Sequence, residues 1–228
     1  MQHHPFGISK GIVAAATGAL ALAAALAMSL PSASGALLTA DQSATGACTT
    51  TITGHNNAVI NVSSGTTCLV NLKQIGAVNV APGAALSVTG GSIINGAITL
   101  TQAKAFTFCA SSTKQGAINA STGSGFVLIG DGGDGHPAVC GANHIDGAVT
   151  LNGNLGGVEI GGNSIVGALT VSGNIAPLFG IPTEDNATEI EANTVGGLTT
   201  CATNSPAPTN DGRPNTFTGG ANGQCAGL

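Results

Sequence analysis

Apolar and polar positions alternate in short bursts along much of the chain, and glycine punctuates them. Val78-Asn79-Val80, Ile98-Thr99-Leu100, Ile118-Asn119-Ala120, Val149-Thr150-Leu151 and Leu169-Thr170-Val171 each repeat apolar, polar, apolar. A period of two marks a strand with one buried side. Each burst follows a glycine and a small residue: Gly76-Ala77, Gly96-Ala97, Gly116-Ala117, Gly147-Ala148, Gly167-Ala168 and, before Leu198, Gly196-Gly197. The first glycines of these phrases are 20, 20, 31, 20 and 29 positions apart. A fixed period with two longer intervals describes a repeat that has accepted insertions.

A second apolar column follows at a matched offset. Leu86, Phe106 and Phe126 each stand eight residues after the first aliphatic of their burst, and Val158 stands nine after Val149. The pattern predicts two short strands per coil, with a weaker third side suggested by Ile94, Ile145 and Ile165. Stacking the coils gives four inward ladders. They are Val78, Ile98, Ile118, Val149, Leu169, Leu198; Val80, Leu100, Ala120, Leu151, Val171, Thr200; Leu86, Phe106, Phe126, Val158; and Val88, Phe108, Leu128, Ile160. No coil of about 20 residues can bury its own apolar side, but each can cover the next. The expected fold is therefore all-β: a single-stranded parallel β-helix, or β-solenoid, of about 20-residue coils, preceded by an N-terminal signal helix. Glycine is expected to supply the bend, with the small residue at the crowded corner.

The expected organisation is a signal peptide over 1–36, the solenoid over 37–200 and a disulfide-closed cap or tail over 201–228. Within the leader, Lys10 precedes an apolar run from Gly11 to Leu30, and Ser34-Gly35-Ala36 offers a small-x-small cleavage site. Cleavage would leave no membrane segment. An uncleaved anchor is the alternative, because the run is long enough to cross a bilayer. The six cysteines all lie after the leader, and an even count in an exported chain reads as disulfides. Pairing neighbours joins Cys48 to Cys68, Cys109 to Cys140 and Cys201 to Cys225. No C-x-x-C spacing supports a redox or zinc motif.

Composition narrows the function classes. Charged residues make up 7%, the net charge is -5, and only five are Lys or Arg. Nucleic-acid binding needs clustered basic residues and is excluded on this ground. The first insertion, between the Ile118 and Val149 bursts, gathers Asp131, Asp134, His136, His144 and Asp146. Asp131, Asp134 and His136 form a calcium-like candidate loop, although its spacing matches no EF-hand and favours a Gly-Asp turn stapled by Cys140. Glu184, Asp185, Glu189 and Glu191 lie in the second insertion beside the sequon Asn186-Ala187-Thr188. Paired carboxylates can hydrolyse glycosidic bonds, but no Arg or aromatic platform accompanies them, so a solvated acidic loop is expected. No nucleophile elbow or P-loop occurs, so no catalytic residue and no cofactor is assigned. An outward row of Asn79, Thr99, Asn119, Thr150, Thr170 and Thr199 is the candidate binding face, suited to ordered water, ice or polysaccharide. Its neighbours Ser87, Thr107, Val127 and Glu159 are mixed.

The leader, the Gly-Ala-aliphatic coils, the six cysteines and the ending PTNDGRPNTFTGGANGQC together resemble small secreted actinobacterial β-helix proteins of unassigned activity. That resemblance implies a secreted β-helical fold and transfers no catalytic residue. At fold level the pattern is also similar to pectin-lyase-like right-handed β-helices, whose acidic and basic strand face this chain lacks. The expected function is a non-catalytic secreted structural or interaction protein of the cell surface or extracellular space. Its expected partner is a cell-envelope polysaccharide or protein. The alternative is a polysaccharide-active or glycan- or ice-binding β-helix.

Overall fold

In the computed structural model, residues 46–131, 140–176 and 188–228 are described. The signal segment 1–36 lies outside them. The described chain winds as a parallel β-solenoid with three strands per coil, so the third side is a full face. Face 1 is an eight-stranded parallel sheet made of Ile60–Val62, Val78–Val80, Ile98–Thr101, Ile118–Ser121, Val149–Asn152, Leu169–Ser172, Thr199–Ala202 and Ala221–Gly223, paired in that order. Face 2 runs from the first half of Thr66–Ile75 through Ala85–Thr89, Ala105–Phe108, Val127–Ile129 and Val158–Gly161 to Thr188–Glu191. Face 3 starts in the second half of Thr66–Ile75. It continues through Ile93–Asn95, Ser112–Lys114, His144–Ile145, Ser164–Ile165, Thr194–Val195 and Thr216–Phe217.

Register confirms the ladder arrangement over the central coils. Val78 pairs with Ile98, Ile98 with Ile118, Ile118 with Val149 and Val149 with Leu169. All five are fully buried, at 0% exposure. The wide part of the core holds Phe106 and Phe108, whose ring centroids lie 6.2 Å apart. Burying side chains of that size stabilises by about 1.5–3 kcal/mol each.

Two strands, which between them touch all four ladders, shift by one residue from their expected phase. In the last clean repeat Thr199, not Leu198, lies over Leu169, and Cys201, not Thr200, lies over Val171. Leu198 is 49% exposed. The phase is set by Gly197: a Cβ there would come within 2.6 Å of the Ala168 backbone nitrogen, so this glycine takes the crowded corner. It also turns Cys201 inward, where it bonds Cys225, and a slip by one would reverse every side chain of the strand. On face 2, Val127 and Ile129 point inward in place of Phe126 and Leu128. Four consecutive apolar residues fit either phase. Here the outward pair has a dry place to go, because Phe126 and Leu128 pack with Cys109 and Cys140 in a second cluster.

The repeat glycines serve close approach more than bending. At Gly167 a Cβ would lie 2.6 Å from the Gly147 carbonyl group, and Gly167 itself has no left-handed φ. Cys48–Cys68, Cys109–Cys140 and Cys201–Cys225 are all bonded, as their spacing suggested. Residues 201–228 wind along the last coil: Thr216–Phe217 pairs with Thr194–Val195, and Ala221–Gly223 pairs with Thr199–Cys201. Phe217, Ala221 and Leu228 pack against the core from that end.

Candidate functional site

The three faces present different chemistry outward. On face 2 the outward column of Cys68, Ser87, Thr107, Leu128, Glu159 and Glu189 is buried along its whole length. On face 3 the outward column mixes Lys73, Ile93, Ser112, His144, Ser164 and Thr194. Face 1 is regular. Its outward row reads Asn61, Asn79, Thr99, Asn119, Thr150, Thr170, Thr200 and Asn222, each in register with the next. Thr200 therefore takes the place expected for Thr199, which is fully buried. The row also reaches one coil further at each end than the sequence reading placed it.

No Asp, Glu, Lys, Arg or His occurs in any strand of face 1. Beside the central row run two columns of small residues. Thr101, Ser121, Asn152, Ser172 and Ala202 stand two positions later in the same strands. Ala77, Ala97, Ala117, Ala148 and Ala168 precede the strands and are partly exposed. Successive rungs are about 4.8 Å apart, and the two polar columns about 6.6 Å apart along the strand. The result is a regular, uncharged grid of hydroxyls, amides and methyls. β-Branched Thr has few χ1 choices, so its hydroxyl and methyl are held nearly fixed before any partner arrives. The Thr99, Thr150, Thr170 and Thr200 hydroxyls have no protein hydrogen bond among the described residues, whereas Asn79 donates to Asn61 at 3.0 Å.

An asparagine ladder holds one border of this face. Three residues beyond each inward Leu151, Val171 and Cys201 stand Asn154, Asn174 and Asn204, all buried. Asn154 Nδ2 donates to Asn174 Oδ1 at 2.8 Å, Asn174 to Asn204 at 3.0 Å, and Asn204 to Gln224 Oε1 at 3.1 Å. Each amide also donates to a backbone carbonyl at the end of the preceding face-1 strand, as Asn174 does to Leu151. A second ladder of Asn143, Asn163, Asn193 and Asn215 lines the corner before face 3, with links of 2.8, 2.9 and 3.0 Å. The sequence reading missed both. Their signal is an asparagine two residues before each inward Ile145, Ile165, Val195 and Phe217, and three after each of the inward Leu151, Val171 and Cys201.

The other candidates do not assemble into a centre. Asp134 and His136 lie outside the described residues. Asp131 is described, and His144 Nε2 meets Asp146 Oδ1 at 2.9 Å in an exposed pair. Among the described residues no group of three His, Cys, Asp or Glu side chains is placed to hold a metal ion. Glu184, Asp185 and Asn186 also lie outside. Glu189 and Glu191, expected in a solvated loop, instead sit in the strand Thr188–Glu191 at 2% and 0% exposure. Glu159 lies in register with Glu189, and Arg213 stands 3.7 Å from Glu191. The reason is topological: that strand closes face 2, whose outer side is covered, so its outward carboxylates are buried too.

Comparison with family models, with curated proteins and with solved structures finds no match.

Proposed function

We propose that the protein is a non-catalytic extracellular module, structural or adhesive, that meets an uncharged surface of the cell envelope or its surroundings through face 1. The observation that carries this reading is the eight-rung Asn and Thr row on a sheet without a charged residue. A chain of net charge -5 that keeps every charge off its one regular face is suited to a neutral partner. Many weak contacts on a fixed grid add up only against a surface that repeats as regularly. Three disulfides fit an oxidising compartment, and the leader pattern supplies the route of export.

The test is retention of the purified, oxidised protein on fractionated cell envelope, compared with the double variant Thr150→Lys and Thr170→Lys. Those side chains point outward, so folding is preserved while charge and bulk enter the grid. Retention is expected to fall about tenfold or more. Equal retention removes the cell envelope as the partner of face 1. The enzyme alternative is judged separately by incubation with cell-wall and plant polysaccharides, where release of new reducing ends would replace this proposal.

A further inference from the structure

We infer that the uncharged surface met by face 1 is crystalline water, so that the protein binds ice. This rests on the reading of face 1 as the contact surface and names its ligand. Four properties of the face select the ligand. Its eight strands run in continuous parallel register, they carry no charge, they repeat in two directions, and they have no aromatic side chain. A polysaccharide offers its apolar ring faces to stacking platforms, and the chain has no Trp or Tyr, while Phe106 and Phe108 are fully inside. Ice has no such ring face. It offers donors and acceptors alternating on a rigid lattice, which suits hydroxyls that each supply one donor and two acceptor positions.

The Thr hydroxyls at 99, 150, 170 and 200 have no protein partner among the described residues and so keep that full capacity. Their methyl groups and the alanine column cover the space between polar points with apolar surface, where water is already orientationally restrained. Rungs repeat at about 4.8 Å because parallel backbone pairing fixes them. That repeat is of the same order as the oxygen repeat on an ice surface. A rigid ligand surface also removes the ordering cost that a flexible glycan would add to each contact. Asn119 interrupts the threonines between Thr99 and Thr150, and so marks the place where binding is weakest.

The experiment measures ice recrystallisation and thermal hysteresis with the oxidised protein at micromolar to millimolar concentration. Inhibited crystal growth, reduced about tenfold by Thr170→Lys at unchanged melting temperature, is the expected result. Asn119→Thr, which joins the row into a continuous run from Thr99 to Thr200, is expected to increase the activity. Absence of any effect on ice overturns the inference, as does activity that is indifferent to Thr170→Lys. Should the face-1 variants lose envelope retention while ice growth is never affected, ice is rejected and the contact surface stands. If envelope retention also ignores them, both readings fall.

Discussion

The coils up to Ser121 and those from His144 onward share one backbone path and close their corners by different means. In the earlier coils the corner after face 1 holds Ala84 and Ala103, at 0% and 6% exposure, and the corner before face 3 holds Ser92. Ser92 Oγ donates to Thr89 O at 2.7 Å and accepts from the Leu72 backbone at 3.1 Å. In the later coils both corners are asparagine ladders. The interiors differ in where polar atoms sit: the earlier part contains Phe106 and Phe108 on face 2 and turns Gln74 and Thr113 inward on face 3, whereas the later part places Thr188 and Thr199 inward on faces 2 and 1. The first region carries the largest buried apolar side chains, and the second closes its corners with ladders of hydrogen-bonded amides. The difference shows that a solenoid corner needs its backbone groups satisfied and has more than one way to do it.

Replacing the heaviest apolar anchor tests the first half of that contrast. Phe106→Ala is expected to cost about 3–5 kcal/mol, measured by denaturant unfolding of the oxidised protein. Ile160→Ala, on the neighbouring inward column of face 2 that carries Phe108, two coils on, should cost about 2–4 kcal/mol. A larger loss at Ile160 than at Phe106 would break the assignment of apolar weight to the earlier coils.

The later coils should depend more on their staple. Cys201 and Cys225 close a separation of 24 residues, and replacing both by Ser is expected to cost about 3 kcal/mol in the chain-entropy account. Amide hydrogen exchange should rise at Thr199–Ala202 and Ala221–Gly223, with Ile98–Thr101 unchanged. Uniform loss of protection along the solenoid would mean that the two regions unfold as one.

The ladders themselves come next in size. Asn163 Nδ2 donates to Ile129 O at 2.7 Å and to Asn193 at 2.9 Å, and its Oδ1 accepts from Asn143. Asn163→Ala leaves the Ile129 carbonyl and the Asn143 amide short of a partner, at a cost of about 2–3 kcal/mol. Ser92→Ala also removes three contacts, but two of them, to Leu69 O and Thr89 O, share the one hydroxyl proton, and the change should cost about 1 kcal/mol. Equal effects, measured by the same unfolding curves, would show that the amide chain adds nothing beyond a single corner bond.

How far these features could be read from the chain depends on how strictly each is patterned. The period of 20, the inward set Val78 to Leu169 and the three cysteine pairs were legible, because alternation with one side buried fixes register. Legibility failed where two phases satisfy the same pattern. Gly196-Gly197 left the choice between Leu198 and Thr199, and Phe126-Val127-Leu128-Ile129 left either pair inward. The asparagines were missed for another reason: a buried Asn reads locally as a turn residue, and only stacking shows it bonding to its copy in the next coil. Glu189 and Glu191 misled similarly, since burial of the outer side of face 2 has no local signal.

Thr199 offers the smallest and sharpest test, because here the later region is expected to gain from losing a polar atom. Its side chain stacks on Leu169 in the aliphatic column and is fully buried, and its hydroxyl has no hydrogen-bond partner among the described residues. Thr188, in register with Val158, is in the same position on face 2. Valine has nearly the same shape without the hydroxyl, so Thr199→Val removes a desolvated group and preserves packing. Stabilisation of about 1 kcal/mol is expected, with Thr188→Val adding a similar amount, since separate sites combine nearly additively. A stabilised double variant would place the polar satisfaction of the later coils in their corners and leave their interior governed by apolar contact. Destabilisation would show instead that the inward hydroxyls are bonded, and that polar groups hold the later coils from the core as well as from the edges.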